Sequence, residues 1–187
     1  MISRSDADII VASQNWLNNI IVGLNLCPFA KKEVQRQTIR YQLCHAGDLP
    51  AALQCLLDEV YLLDKEPQIE TTLVIFPQAF STFDDYLQLV DLATSLLDQS
   101  GYRGIYQLAT FHPDYCFAGE AADDAANFTN RSPYPTLHLL RETSLERVLA
   151  IYSDPESIPT NNINKTRELG KARMQQLLAQ CFPEHSE

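Results

Sequence analysis

The chain has 187 residues, of which 45% are hydrophobic and 20% charged, and this size and composition are typical of one folded globular domain. We therefore expect a single domain over residues 1–187. The 14 Lys and Arg residues are outnumbered by 24 Asp and Glu residues, and the net charge of -10 argues against a nucleic-acid partner.

The first residues of the chain and the spacing of its cysteines indicate the cellular compartment of the protein. Residues 1–26 carry acidic and amide side chains among their apolar positions, unlike a secretory signal peptide. No run of about 18 apolar residues occurs, so we expect no contact with a membrane. Five cysteines are scattered without Cys-x-x-Cys spacing, which favours free thiols over a disulfide framework. The sequence therefore predicts a cytoplasmic protein.

Hydrophobic spacing predicts alternating helices and strands up to Phe111. Ser5 or Asp6 is expected to cap the first helix, and Pro67 to follow the second. Because helices alternate with strands, neighbouring strands should be parallel and joined by right-handed crossovers. The predicted elements are a helix over residues 6–24, a strand over 38–44, a helix that begins at Leu49 and ends before Pro67, a strand over 71–76, a helix over 81–99 and a strand over 104–111.

The regular pattern lapses after Phe111 for about 24 residues, and loops of this length are often functional. A fourth strand over residues 135–141 follows, and Thr143 with Glu146 forms a capping box for a short helix through Ile151. Residues 154–164 are predicted to be a connection and residues 165–181 a closing helix. The fold class is α/β, a layered arrangement with about four strands in a largely parallel or mixed sheet covered by helices.

His112 and Asp114 follow the third strand, at a sheet edge where open α/β sheets bind ligands. His112 is a candidate catalytic acid or base, and the Asp114 carboxylate is a candidate to orient its ring. Cys116 and His138 would complete a set of four metal-ligand candidates, with a divalent metal as the cofactor that the pattern suggests. The alternative is that His112 is a loop residue that bonds the neighbouring backbone.

Asn130, Arg131 and Ser132 lie in the same loop and are followed by Pro133 and Pro135, which stiffen the backbone around them. Arg131 can hold a carboxylate or phosphate with two hydrogen bonds, so these residues are candidates to bind a small anionic molecule. The alternative is a rigid turn in which Arg131 pairs with a nearby aspartate. Arg141 is a further candidate for substrate binding, although an arginine and a glutamate at the end of a strand more often form a surface pair.

Cys27 precedes Pro28, which either breaks the first helix or starts a new helical turn. A helix N terminus and the nearby Lys31 and Lys32 would lower the pKa of its thiol and give a reactive thiolate, which makes Cys27 a third catalytic candidate. A buried, unreactive cysteine is the alternative.

Three motifs together resemble one known family. They are Leu-Cys-Pro-Phe-Ala at residues 26–30, Phe-His-Pro-Asp-Tyr at 111–115, and Asn-Arg-Ser-Pro-Tyr-Pro at 130–135 with His-Leu-Leu-Arg-Glu at 138–142. The combination resembles DUF1415, a bacterial family of unknown function, over nearly the whole chain. The resemblance implies a bacterial cytoplasmic setting and brings no activity, cofactor or catalytic residue with it.

The leading hypothesis from the sequence is a small-molecule hydrolase or transferase that holds an anionic substrate in the loop over residues 110–142. His112 and Asp114 would carry out the chemistry and Arg131 and Asn130 would bind the substrate. One alternative is a non-catalytic module that binds a ligand or a protein through the same loop. A second alternative is a thiol-redox protein that uses Cys27.

Overall fold

The computed structural model describes residues 4–150 and 154–184, and within them the chain forms helices and one sheet. The helices are α1 (Asp6–Trp16), α2 (Ala30–Arg36), α3 (Leu49–Lys65), α4 (Phe83–Gln99), α5 (Glu142–Leu149), α6 (Ile158–Leu169) and α7 (Lys171–Ala179). The strands are β1 (Ile39–Leu43), β2 (Thr71–Ile75), β3 (Tyr106–Phe111) and β4 (Thr136–Arg141). This confirms the α/β class.

The four strands form a mixed sheet in the order β1-β2-β4-β3. β1 pairs with β2 in parallel, whereas β4 lies antiparallel to both β2 and β3. The prediction of parallel neighbours is correct for β1 and β2 and wrong for β3. The loop after Phe111 begins and ends at the same edge of the sheet, because Phe111 pairs with Thr136, so β4 must return antiparallel beside β3.

Helices cover both faces of the sheet. One face packs against α3 and α4 through Val74, Leu137 and Leu139, and this is called the α3/α4 face. The opposite face carries Leu73 and Ile75 and packs against α1, the turn that follows α1, and α7. This second face is called the α1 face. All five residues of β2 are buried, as expected of a strand covered on both sides.

The first helix has the predicted cap and an irregular end. The Ser5 hydroxyl oxygen accepts a hydrogen bond from the backbone N–H of Asp8 at 3.2 Å, and the Asp8 carboxylate accepts one from the N–H of Ser5 at 3.2 Å. After α1 the chain continues as a π-helical segment, Leu17–Val22. A side chain at Gly23 would collide with the carbonyl oxygen of Asn19, so this wider helix requires glycine there.

The C-terminal elements differ from the prediction in three ways. α5 begins at Glu142, directly after β4, so the predicted capping box of Thr143 and Glu146 is wrong. Ile151, where this helix was predicted to end, lies outside the described residues. α6 begins at Ile158, inside the predicted connection. The closing helix is divided at Gly170, whose φ of 79° is strained for other residues. No helix in the described part of the chain is long and apolar enough to cross a membrane.

Candidate functional site

A cavity of about 230 Å³ lies on the α1 face of the sheet, beneath α2 and α5. Ten apolar residues line most of it, and the remaining lining residues are polar or charged. The apolar residues are Leu17, Phe29, Ala30, Ile39, Leu73, Ala109, Phe111, Leu140, Leu145 and Val148. The others are Cys27, Glu33, Glu70, Thr71, Gln107, His138, Arg141 and Ser144.

The alternation of β4 explains why His138 faces this cavity. Successive side chains on a strand point to opposite faces of the sheet. Leu137 and Leu139 therefore lie on the α3/α4 face, whereas His138 between them lies on the α1 face. Its cross-strand neighbours are Leu73 on β2 and Ala109 on β3. Because the alanine side chain is a single methyl group, it leaves space beside the imidazole ring.

The hydrogen bonds of His138 define its tautomer. Its Nε2 atom lies 2.7 Å from Oγ1 of Thr71, and the Thr71 hydroxyl group donates its own hydrogen to the carbonyl oxygen of Leu139. Nε2 must therefore carry a hydrogen and donate to Thr71. The Nδ1 atom then holds a lone pair, and it has no hydrogen-bond partner among residues 4–150 and 154–184.

Burial lowers the pKa of His138 to about 4, because an imidazolium cation in this position would lose its hydration. The ring is therefore neutral near pH 7. At the base of the apolar cavity, its Nδ1 atom offers a single hydrogen-bond acceptor.

Cys27 also lines the cavity, just before α2 begins. Burial raises the pKa of its thiol and outweighs the opposing hydrogen bonds from the backbone of Phe29 and Ala30. The prediction that a helix N terminus would lower this pKa is therefore wrong: α2 starts only at Ala30, and desolvation dominates. The group is a neutral thiol close to neutral pH.

His112 is fully buried on the α3/α4 side, against the rings of Phe83 and Tyr86. Its Nδ1 atom accepts a hydrogen bond from the backbone N–H of Asp114 at 3.0 Å, and its Nε2–H donates to the carbonyl oxygen of Phe80 at 3.0 Å. Burial lowers its pKa. Both ring nitrogens thus have backbone partners, which matches the alternative of a structural loop histidine.

The three residues of the predicted anion site also bond to the backbone. The Asn130 amide donates to the carbonyl of Thr110 at 3.0 Å, and the Ser132 hydroxyl donates to the carbonyl of Tyr134 at 2.7 Å. The Arg131 guanidinium donates to two backbone carbonyls and stacks 4.6 Å above the ring of Phe128. Its two acceptors are the carbonyls of Tyr115 at 3.2 Å and Ala122 at 2.8 Å.

Arg141 is held on the α3/α4 face, away from the predicted loop site. Its guanidinium donates to the hydroxyl of Tyr106 at 3.0 Å and to the backbone carbonyls of Leu63 and Ile69. These hydrogen bonds hold the end of β4 against the end of α3.

The four metal-ligand candidates do not come together. His112 lies on the side of the sheet opposite His138, Asp114 is exposed, and the Cys116 thiol points to the carbonyls of Phe117 and Glu120. Within the described ranges, no group of three His, Cys, Asp or Glu residues is arranged to hold a metal ion.

A family model described as "Protein of unknown function (DUF1415)" matches residues 8–176. The chain belongs to the DUF1415 family. The matched region of this DUF1415 chain includes every residue that lines the cavity, from Leu17 to Val148. No curated protein and no solved structure matches the chain.

Among the polar residues of the cavity, the sequence analysis named Cys27, His138 and Arg141 as site candidates, but it did not bring them together. Thr71 and Gln107 were placed only as members of predicted strands, and Glu33, Glu70 and Ser144 were not singled out. One signal was present in the sequence: His138 is a polar residue in the middle of an otherwise apolar strand. A polar side chain in such a strand needs a hydrogen-bond partner, and Thr71 on β2 bonds one of the two ring nitrogens of the half-buried His138.

Proposed function

We propose that this chain binds a small, uncharged and mostly apolar molecule in the cavity, and that the molecule donates a hydrogen bond to Nδ1 of His138. The observation that carries the proposal is the unpartnered acceptor of a neutral histidine inside an apolar space. Nδ1 has no hydrogen-bond donor from the protein, so in an apolar space a ligand that donates a hydrogen bond to it is favoured over one that does not. The proposal follows the ligand-binding alternative of the sequence analysis and moves the site from the loop to the cavity.

The cavity volume sets the size of the ligand. An apolar cavity of roughly 150 Å³ accommodates benzene. In proportion, the 230 Å³ found here suits a molecule with about nine non-hydrogen atoms. Substituted phenols, small amides and short-chain alcohols fit both this size and the need for one hydrogen-bond donor.

The charges around the cavity argue against an anionic ligand there. The acidic side chains of Glu33 and Glu70 line it, and the guanidinium of Arg141 is bonded on the other face of the sheet. A carboxylate or phosphate would meet like charge and would lose hydration without a cation to replace it. The anionic substrate predicted for the loop stays a prediction, and the backbone bonds of Arg131 do not favour it.

A role in ligand binding suits His138 better than a role in proton transfer. A general base works best when its pKa lies near the working pH, whereas burial brings the pKa of His138 to about 4. The thiol of Cys27, whose pKa is raised, is likewise a poor nucleophile near neutrality. These two shifts favour ligand binding over catalysis in the cavity and over a thiol-redox role of Cys27. The hydrolase or transferase hypothesis assigned the chemistry to His112, and it is disfavoured because both ring nitrogens of His112 bond to the backbone.

A panel of three probes tests the proposal by ligand-observed NMR on the full chain. Phenol, toluene and benzoate have the same ring, and they carry a hydrogen-bond donor, a methyl group and a negative charge, respectively. We expect phenol to bind best, toluene more weakly and benzoate not at all. Preferred binding of benzoate, or no binding of phenol and toluene, would contradict the proposal.

A further inference from the structure

Three polar side chains line one end of the cavity, which is called the polar end: Glu70, Gln107 and Ser144. Thr71 pairs with Leu140, and Leu140 pairs with Gln107, so the strand register brings Glu70, next to Thr71, and Gln107 to the same end of the sheet. Ser144 lies in the first turn of α5, directly after β4. Because Gln107 is exposed, the polar end reaches the protein surface.

The polar end is separated from His138 by an apolar floor. His138 lies two residues before Leu140 on β4, and its neighbours across the sheet are Leu73 and Ala109. Two residues of a strand span about 7 Å. Leu73, Ala109 and Leu140 all line the cavity. The cavity therefore has one polar point at His138 and a second polar region one ring length away.

The side chains of the polar end are available to a ligand. Within residues 4–150 and 154–184, none of the three makes a hydrogen bond or an ion pair with another residue. The backbone that carries Glu70 is fixed, because its N–H donates to the carbonyl of Thr38 at 2.9 Å. A few polar groups placed in a mostly apolar pocket are the usual means by which a protein orients a ligand.

We propose that the molecule bound in the cavity is elongated and carries a second neutral polar group, a hydroxyl or a primary amide, which binds at the polar end. This inference rests on the proposed function, because the first polar group of the same molecule donates to Nδ1 of His138. A phenol with a short hydroxylated chain in the para position is the simplest molecule of this class.

The hydrogen-bonding groups of the polar end favour a neutral partner. The carboxylate of Glu70 only accepts hydrogen bonds, whereas the Gln107 amide and the Ser144 hydroxyl both donate and accept. A hydroxyl or an amide on the ligand can bond to both kinds of group. An ammonium group only donates, and a carboxylate only accepts and would meet the like charge of Glu70.

The test is titration calorimetry of the full chain with phenol, para-propylphenol and tyrosol. The last two have nearly the same shape, and their chains end in a methyl group and a hydroxyl group, respectively. Wild type is compared with a triple variant that removes the polar end: Glu70→Ala, Gln107→Ala and Ser144→Ala. We expect the affinity for tyrosol, relative to that for para-propylphenol, to fall roughly five-fold in the variant. Phenol has no chain, so its binding shows that the cavity of the variant is intact.

A matched control replaces three exposed residues of the same kinds outside the cavity and should keep the relative affinities of wild type: Glu146→Ala, Gln180→Ala and Thr143→Ala. Wild type alone gives a further test, because it should bind tyrosol more tightly than tyramine, whose chain ends in an ammonium group. Unchanged relative affinities in the triple variant, or a preference of wild type for tyramine, would overturn this inference and leave phenol binding standing. If wild type bound no phenol, the proposed function would fail together with this inference.

Discussion

The hydroxyl group of Thr71 lies between His138 and the backbone of β4, with Oγ1 2.7 Å from Nε2 of the imidazole. Because this hydroxyl donates its hydrogen to the Leu139 carbonyl, it can only accept from the histidine. One threonine on β2 therefore fixes the tautomer of a histidine on the neighbouring strand. The free lone pair is left on Nδ1, where a ligand in the cavity can reach it.

The low pKa of His138 predicts a pH-dependent stability. The folded value is about 4, and the ordinary value in an unfolded chain is about 6.5. Between these two values the unfolded chain binds more protons, so the free energy of unfolding falls as the pH falls. Lowering the pH from about 7 to about 4 should cost roughly 3 kcal/mol through this residue alone.

The measurement is urea unfolding of wild type and His138→Leu at several pH values. Carboxylates and His112 titrate in both proteins, so the difference between the two curves isolates His138. The variant should lose less stability toward acid than the wild type does. If the free energy of unfolding fell by the same amount in both proteins between neutral pH and pH 4, the lowered pKa of His138 would be contradicted.

A larger side chain at Ala109 should close the cavity. Ala109 pairs with His138 across β3 and β4 and lines the cavity, so Ala109→Leu places three more carbon atoms in that space. Phenol binding should be lost, and the melting temperature should be unchanged or slightly higher because a void is filled. Ala51→Leu, on the exposed side of α3, is the control and should bind phenol as wild type does. Phenol binding that survives Ala109→Leu would place the ligand elsewhere.

His112 should be important for stability. Its ring is fully buried, and it bonds the carbonyl of Phe80, whose φ of 58° lies in the left-handed region. His112→Ala leaves a void and two unpaired backbone groups, so we expect a loss of roughly 2–4 kcal/mol in the free energy of unfolding. His45→Ala, at an exposed position, is the comparison and should cost far less. A His112→Ala protein as stable as wild type would restore the catalytic interpretation.

Arg131→Lys should weaken the loop despite keeping the charge. Lysine cannot reproduce the fork that reaches the carbonyls of Tyr115 and Ala122, nor the stacking on Phe128. We expect roughly 1–2 kcal/mol of destabilisation by thermal unfolding, against almost none for Arg36→Lys on the exposed side of α2. If Arg131 bound an anion instead, added phosphate would stabilise the wild type but not Arg131→Lys.

The sequence predicted the elements better than their arrangement. Helices and strands follow from local periodicity, and α3, β2 and α4 were placed almost to the residue. The insertion of β4 between β2 and β3 depends on contacts between distant segments, such as Thr71 with Leu140, which no local pattern contains. The same limit explains the unexpected helix α6, whose polar composition resembles a connection.

The site was misplaced for a related reason. Asn130 and Arg131 are conspicuous because they are polar residues in an irregular loop, but a loop without sheet partners needs such side chains to bond its own backbone. The cavity, by contrast, is a space between segments far apart in sequence. Only His138, a polar residue in an apolar strand, marked it in advance.

The most direct test of ligand binding at His138 compares phenol and toluene in wild type and in His138→Leu by titration calorimetry. The two probes have nearly the same shape and differ in one hydrogen-bond donor, which is worth about 1 kcal/mol, or roughly a five-fold change in Kd. We predict that wild type prefers phenol by about this factor and that the preference disappears in His138→Leu, which still binds toluene. Equal affinities for both probes in wild type, or a phenol preference that persists in the variant, would contradict the role assigned to His138.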